Sequence, residues 1–210
     1  MKSTTLIVPG LNNSGAAHWQ SWLEARVDRA HRVQQRDWAE AAIDEWTSRV
    51  GEAIDAAVGP IWIVAHSFGC LAAVKAAVDR SDRVAGALLV APANPERFSE
   101  RGLEPHAGSG AITSLIPHAP LGFPSIVVAS SNDPWMRLTA ASVWAGRWGS
   151  RFDCIGRAGH INVDSGHGPW PQGLELFERF RAAHGGEPLG TIESNYRSAH
   201  TRSGERMLEQ

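Results

Sequence analysis

The stretch from Ile61 to Val78 constrains the fold more than any other part of the sequence. Its first residues (IWIV) are hydrophobic or β-branched, which predicts a buried strand. The turn at residues 65–69 (AHSFG) follows, and residues 71–78 favour a helix. A serine on a sharp turn between a strand and a helix projects its Oγ above the edge of a parallel sheet. The stretch therefore predicts an α/β fold with Ser67 as a candidate nucleophile.

The size of the residues around Ser67 supports this interpretation. The backbones of strand and helix meet at the turn, so the residues two before and two after the serine must be small. Gly69 meets this requirement, whereas Ala65 stands where glycine is more usual and is one methyl group larger. The structural alternative is that Ser67 merely caps the following helix, because serine is a favoured N-cap residue.

A serine nucleophile needs a base and a residue that orients the base. In this type of site the partners follow in the order Ser, Asp or Glu, His, each beyond a later strand. Asp133 follows a predicted strand at 125–131, and His160 follows another at 151–155. Taken singly, Asp133 is also explained by a turn and His160 by a surface loop. Together, order and placement favour a triad of Ser67, Asp133 and His160.

A second histidine, His167, lies in the same glycine-rich loop as His160. His160 lies closer to the preceding strand and follows Gly159, which permits a close turn. We therefore predict that His160 is the base and that His167 packs in the loop or at the rim of the pocket.

Acyl transfer builds negative charge on the carbonyl oxygen, so two N–H donors should point toward it. The first donor is predicted to be the backbone N–H of Phe68, directly after the nucleophile. The second should come from the loop after the first strand, where Gly10 allows the chain to turn. We predict the N–H of Leu11 here, with Asn12 as the second choice. The loop lacks the glycine spacing of a phosphate-binding motif.

Strands and helices alternate along the chain, which predicts a mostly parallel sheet with helices on both faces. Residues 93–124 are aperiodic, rich in Gly, Pro, His and Ser, and too short for a separate cap domain. We expect them to form a lid or binding loop, with Trp135 and Asn12 also lining the substrate pocket. One domain is predicted over residues 1–184, followed by a flexible polar tail over residues 185–210. The predicted strands are 4–8, 32–36, 61–64, 84–90, 125–131 and 151–155, and the predicted helices are 18–30, 42–58, 71–78, 138–148 and 171–183.

Composition narrows the possible partners. A formal net charge of −2 over 210 residues provides no strong field toward nucleic acid or anionic lipid, so neither partner is expected. Neither a signal-peptide pattern nor a membrane-length apolar run is found. The two cysteines, Cys70 and Cys154, are too few for a disulfide framework and are interpreted as buried residues of a cytoplasmic protein. Metal-ligand spacings are absent, so no metal and no cofactor are predicted.

Four segments together resemble the small α/β-hydrolase family of retinoblastoma-binding protein nine. They are residues 8–10 (VPG), 65–69 (AHSFG), 131–134 (SNDP) and 159–171 (GHINVDSGHGPWP), and the last is the most specific. The resemblance covers about residues 4 to 183. It implies the α/β-hydrolase fold without a cap domain, the triad Ser67, Asp133 and His160, and alanine at position 65.

The function expected from these features is hydrolysis of small carboxylic esters or amides through an acyl-enzyme on Ser67. Two alternatives stay open. The same site could serve acyl transfer or thioester hydrolysis, or the chain could be a binding protein on a hydrolase scaffold. The sequence does not identify a protein partner.

Overall fold

The structure is a computed structural model that describes residues 2–100, 102–104 and 108–187. Its centre is a six-stranded sheet in the order β2-β1-β3-β4-β7-β8, and every neighbouring pair is parallel. Parallel strands place all their carboxyl ends at one edge of the sheet, where ligands usually bind. The strands of this sheet are Thr4–Val8 (β1), Ala30–Arg32 (β2), Ile61–His66 (β3), Val84–Val90 (β4), Ser125–Ala129 (β7) and Arg151–Cys154 (β8).

Helices cover both faces of this sheet because its central strands are apolar on both sides. In β3, for example, Ile61 and Ile63 pack in one hydrophobic cluster, whereas Trp62 and Val64 pack in the other. Helices α2, α3 and α4 cover the first face, and α1 and α5 cover the second. The helices are Trp19–Glu24 (α1), Ile43–Ala56 (α2), Phe68–Val78 (α3), Leu138–Trp148 (α4) and Pro171–Ala183 (α5). The predicted α/β-hydrolase fold is thereby confirmed.

The prediction was wrong between α1 and β2. The helix expected over 18–30 ends at Glu24, and the strand expected over 32–36 runs from Ala30 to Arg32. Pairing with β1 accounts for the difference, because Ala30 lies opposite Thr5 and the Arg29 carbonyl accepts from the Thr5 N–H. Arg29 itself has a left-handed φ of 56°, which is incompatible with a continuing helix. The pairing of β2 with β1 therefore determines the structure here, although the apolar residues of 18–30 have helical spacing.

The aperiodic segment 93–124 forms short turns and a small strand pair rather than a cap domain in its described part. Strand β5 (Phe98–Ser99) pairs antiparallel with β6 (Gly102–Leu103). The segment is anchored by buried apolar side chains that join the α2–α3–α4 cluster: Phe98, Ile112, Ile116 and Leu121. Its 3₁₀ turns are Pro95–Arg97, Gly108–Gly110 and Ile112–Leu115.

Two further predictions concern the cysteines and the tail. Cys70 is buried in α3 as predicted, but Cys154 is exposed at the end of β8, because β8 is an edge strand. Of the predicted tail 185–210, residues 188–210 lie outside the described residues. Within the residues that the structure describes, no helix has the length and apolar character needed to cross a membrane.

Candidate active site

Ser67 lies at the sharp turn between β3 and α3, with φ 54° and ψ −127°. This left-handed φ is rare for a residue with a side chain. Backbone hydrogen bonds hold it: the Ser67 N–H donates to the Val90 carbonyl at 3.1 Å, and the Ser67 carbonyl accepts from the Ala93 N–H at 3.2 Å. The Ser67 side chain makes no helix-capping hydrogen bond. Its hydroxyl is therefore available for chemistry, and capping does not explain its presence.

Glycine is required at two positions where the first loop and the serine turn meet: Gly69 in the turn and Gly10 in the loop. A Cβ on Gly69 would lie 2.3 Å from the Pro9 carbonyl oxygen, and one on Gly10 would lie 2.7 Å from the Ser67 Cβ. These distances are shorter than nonbonded contacts allow. The first loop and the serine turn consequently approach each other more closely than larger residues would permit.

The three predicted polar residues form one continuous chain of hydrogen bonds. His160 Nε2 lies 2.9 Å from the Ser67 Oγ, and His160 Nδ1 lies 2.9 Å from Asp133 Oδ2 and 3.0 Å from Oδ1. Only 9% of the His160 side chain and 3% of the Asp133 side chain are exposed. The carboxylate accepts the Nδ1–H, so Nε2 is left to accept the serine hydroxyl proton. This arrangement can activate Ser67 as a nucleophile.

Two residues that the sequence analysis missed tie the Asp133 and His160 loops together. Ser130 Oγ accepts from the Ala158 N–H at 2.9 Å, and Asn132 Oδ1 accepts from the Gly159 N–H at 2.9 Å. Both side chains lie within the three residues before Asp133, and they hold the two residues that precede His160. A run of small polar residues after a strand (SSND) was the available signal.

His66 was also missed, although it directly precedes the serine. Its Nε2–H donates to the His160 backbone carbonyl at 3.0 Å, and the two rings lie 5.0 Å apart. Burial, reinforced by the nearby His160 and His18, holds the pKa of His66 well below its usual range. His66 is therefore a neutral donor that fixes the backbone of His160.

The two predicted oxyanion donors have no hydrogen-bond acceptor among the described residues. They are the backbone N–H groups of Leu11 and Phe68. The N–H of Asn12, the second choice, donates to the Trp38 carbonyl at 2.7 Å. Of the two candidates in the loop, Leu11 is thus the one with a free donor next to Ser67.

A buried polar network under the first loop had no recognisable sequence signal. Gln20, completely buried, accepts from Ser14 Oγ at 2.7 Å through its Oε1. Its Nε2 donates to the carbonyls of Val8 and Val64 at 3.2 and 3.1 Å. Arg32 donates to the Ser14 carbonyl at 2.6 Å and also pairs with Glu24. The network fixes the loop that carries Leu11 to the end of β1 and to Val64 within β3.

Ser67 opens into a cavity of about 310 Å³. The predicted Asn12 and Trp135 line it, as does His160. Neither Lys nor Arg is among its lining residues in the described chain. The sequence analysis did not anticipate the remaining lining groups that matter below: His18, Phe98, Leu103, Asn162 and Asp164. Nor do the described residues include three or more His, Cys, Asp or Glu side chains grouped so as to hold a metal ion.

Comparison with known proteins places this geometry in a family. The model of the family described as serine hydrolase matches residues 5–179. The chain belongs to this serine hydrolase family. No curated protein matches it at the level of sequence.

This chain is also similar to several solved structures of hydrolases. A protein described as a YdeN-like hydrolase of Pectobacterium atrosepticum is 37% identical, with a TM-score of 0.76, over 85% of this chain and 90% of that one. The YdeN product of B. subtilis is 18% identical, with a TM-score of 0.65, over 87% and 100%. Est1E of Butyrivibrio proteoclasticus, solved with ferulic acid, is 14% identical, with a TM-score of 0.60, over 84% and 85%. The last two likenesses concern the fold alone.

Proposed function

We propose that this protein hydrolyses small carboxylic esters or amides through an acyl-enzyme on Ser67. The supporting observation is the Asp133–His160–Ser67 chain of hydrogen bonds, with Ser67 on a strained turn. The nearby N–H groups of Leu11 and Phe68, which have no acceptor among the described residues, support it further. Within the serine hydrolase family we further propose membership of the small group of retinoblastoma-binding protein nine, supported by the segments quoted above.

In the first half of the proposed reaction, Ser67 Oγ attacks the substrate carbonyl carbon while its proton passes to His160 Nε2. The carbonyl oxygen becomes an oxyanion and accepts hydrogen bonds from Leu11 and Phe68. Asp133 stabilises the imidazolium and holds its orientation. The tetrahedral intermediate then collapses, the bond to the leaving group breaks, and His160 returns the proton to that group.

In the second half, water attacks the acyl-enzyme and gives its proton to His160 Nε2. Collapse of the second intermediate releases the carboxylic acid, and the proton returns to Ser67 Oγ. Every proton moves between substrate, water and His160, so the scheme needs no cofactor.

The substrate is proposed to be a small molecule, because a cavity of about 310 Å³ lies at the lower end of the usual range for ligand sites. We propose that it is not a nucleic acid or a lipid membrane, which is supported by the net charge of −2. A cytoplasmic location is likewise proposed, and the free thiols of Cys70 and Cys154 support it.

The test is labelling with an ethyl fluorophosphonate, followed by a panel of esters, amides and thioesters in the presence of a chelator. We expect one labelled residue, Ser67, and a loss of kcat on the order of 10⁴-fold or more in S67A. S48A, which changes an exposed serine of α2, should behave as wild type. Labelling of folded S67A at the wild-type rate would overturn the proposal, and labelling without turnover of any substrate would favour the binding-protein alternative.

A further inference from the structure

His18 lies in the active-site cavity but has no role in the proposed reaction. It is 6% exposed and lines the same cavity as Ser67. Its ring packs edge-on against His66 with centroids 4.9 Å apart, and it makes a tilted contact with Trp19 at 5.5 Å. These contacts fix the orientation of the imidazole.

The hydrogen bond to α1 determines which ring nitrogen of His18 carries the proton. His18 is the N-cap residue of α1, and its Nδ1 accepts the Gln20 N–H at 3.1 Å. A neutral imidazole that accepts through Nδ1 must carry its hydrogen on Nε2. Burial first, then Arg32, His160 and His167, lowers the pKa of His18 to about 4. At neutral pH the ring is therefore uncharged, with Nε2–H as a donor.

This donor has no acceptor in the described protein. No hydrogen bond from His18 Nε2 occurs there, and the atom is not sealed away from the cavity. A donor on a buried side chain is normally satisfied by the protein or by ordered water, and a bound substrate that displaces such water must supply an acceptor in its place. The cavity at Ser67 is a ligand space that His18 lines.

The remaining walls indicate what kind of acceptor fits. Asp164, an exposed acidic residue, is among the lining residues, whereas no Lys or Arg of the described chain is. A carboxylate on the substrate would meet this negative charge, and the described lining offers no cation to compensate it. A neutral oxygen, as in a hydroxyl, an ether or a carbonyl, meets no such penalty.

We propose that His18 is a specificity-determining residue whose Nε2–H donates to a neutral acceptor oxygen of the substrate, next to the ester group. The preferred substrates are then small esters with such an oxygen in the acyl or the alcohol part, rather than plain alkyl esters. This inference rests on the proposed function, since it concerns the same cavity.

Two isosteric ester pairs test it, because each exchanges one CH₂ for an ether oxygen. Methoxyacetate and butanoate p-nitrophenyl esters probe the acyl part, and 2-methoxyethyl and butyl acetates probe the alcohol part. The variant H18S keeps a capping hydroxyl for α1 but removes the imidazole donor. H31S, on the exposed His31 of β2, is the matched control.

In at least one pair, H18S should lower kcat/KM for the ether-containing ester about tenfold more than for its alkyl partner. The pair that responds identifies the acyl or the alcohol side, and H31S should leave both ratios unchanged. Comparing variant with wild type cancels the different intrinsic reactivities of the esters. H18N also caps the helix well, but its side chain does not reach the position of the imidazole Nε2, so it should give the same result. If H18S is unstable, H18N serves as the test variant.

Equal losses within threefold for both members of both pairs would overturn the inference and leave His18 as a helix cap. If wild type labels at Ser67 but hydrolyses neither pair, labelling rates with methoxyethyl and butyl fluorophosphonates replace kcat/KM in the same comparison. Absence of Ser67 labelling in wild type would instead contradict the proposed function itself, so the two failures are distinguishable.

Discussion

The two walls of the cavity are held in different ways. One wall is the loop between Pro9 and His18, whose polar groups bond to the fully buried Gln20 and to Arg32. The other consists of β5, β6 and Trp135, and it presents the apolar side chains of Phe98 and Leu103. The first wall carries a free N–H beside Ser67, whereas the second carries none that the proposed reaction uses.

Two apolar side chains of the second wall are exposed. Trp135 is 36% exposed and Leu103 is 41% exposed. The Arg97 guanidinium lies 4.3 Å from the Trp135 ring centroid and donates to the Pro134 carbonyl at 3.0 Å. Hydrogen bonds with directional requirements thus fix the wall that must meet a developing charge. The second wall only shapes the substrate space. The side chains of Phe98 and Leu103 can do this by apolar packing, which has no directional requirement.

Of the effects compared here, the largest is expected at His160, which lines the cavity together with residues of both walls. H160A should lower kcat on the order of 10³-fold or more, because the base is removed. H167A should change kcat by less than roughly tenfold, since His167 Nδ1 contacts the Ser165 carbonyl at 3.2 Å and the ring packs on Trp170. Both constants are measured on folded protein. If H167A is the inactive variant, the triad must be reassigned.

A smaller effect is expected when the polar wall loses its support. Q20L keeps the approximate volume but leaves Ser14 Oγ and the carbonyls of Val8 and Val64 without this partner. We expect kcat to fall by roughly 10- to 100-fold with a smaller change in KM, and the free energy of unfolding to fall by about 3 kcal/mol.

The control for Q20L is Q172L, on the exposed Gln172 of α5. Steady-state kinetics and urea unfolding are measured for both variants. A loss of stability without any loss of kcat would show that the network supports the fold but not the oxyanion donor.

The smallest effect is expected at the apolar wall. Each well-buried CH₂ contributes about 0.8 kcal/mol, and the cavity is small, so kcat/KM should stop rising after a few acyl carbons. W135A should reduce the preference for butanoyl over acetyl esters by about threefold. The matched control is W22A, since Trp22 also carries a stacked arginine, Arg26, at 4.2 Å but lies outside the cavity. A rise in kcat/KM that continues to long fatty acyl chains would contradict this view of the second wall.

Local patterns predicted most of the framework. The bounds of β4, α4 and α5 agree with the hydrophobic periodicity and the flanking Gly or Pro. Chain order and strand ends were enough to select Ser67, Asp133 and His160, which the structure brings together. The α1–β2 region was mispredicted because pairing with β1 determines it, and that pairing is not a local property.

Local patterns did not predict the roles of Gln20 and His66 either, because these roles also depend on contacts between distant segments. Gln20 bonds to Val64, and His66 bonds to the His160 carbonyl, so each role depends on segments far apart in the chain. A buried glutamine in a short helix and a histidine before a serine are ambiguous until these partners are in place. Local sequence patterns predicted the proposed triad better than the groups that position it.

The position of Gln20 also has a consequence for how the chain reaches its native state. Its side-chain amide joins Val8 of β1 to Val64 of β3, and Val8 lies opposite Ala65 in the register of these strands. A slip by one residue would turn each side chain to the other face of the sheet and leave a buried amide without its carbonyls. The loop that carries Leu11 can therefore be fixed only after both strands have found their correct register. Recovery of ester hydrolysis during refolding would then report the correct assembly of the sheet centre, and not merely the collapse of the chain.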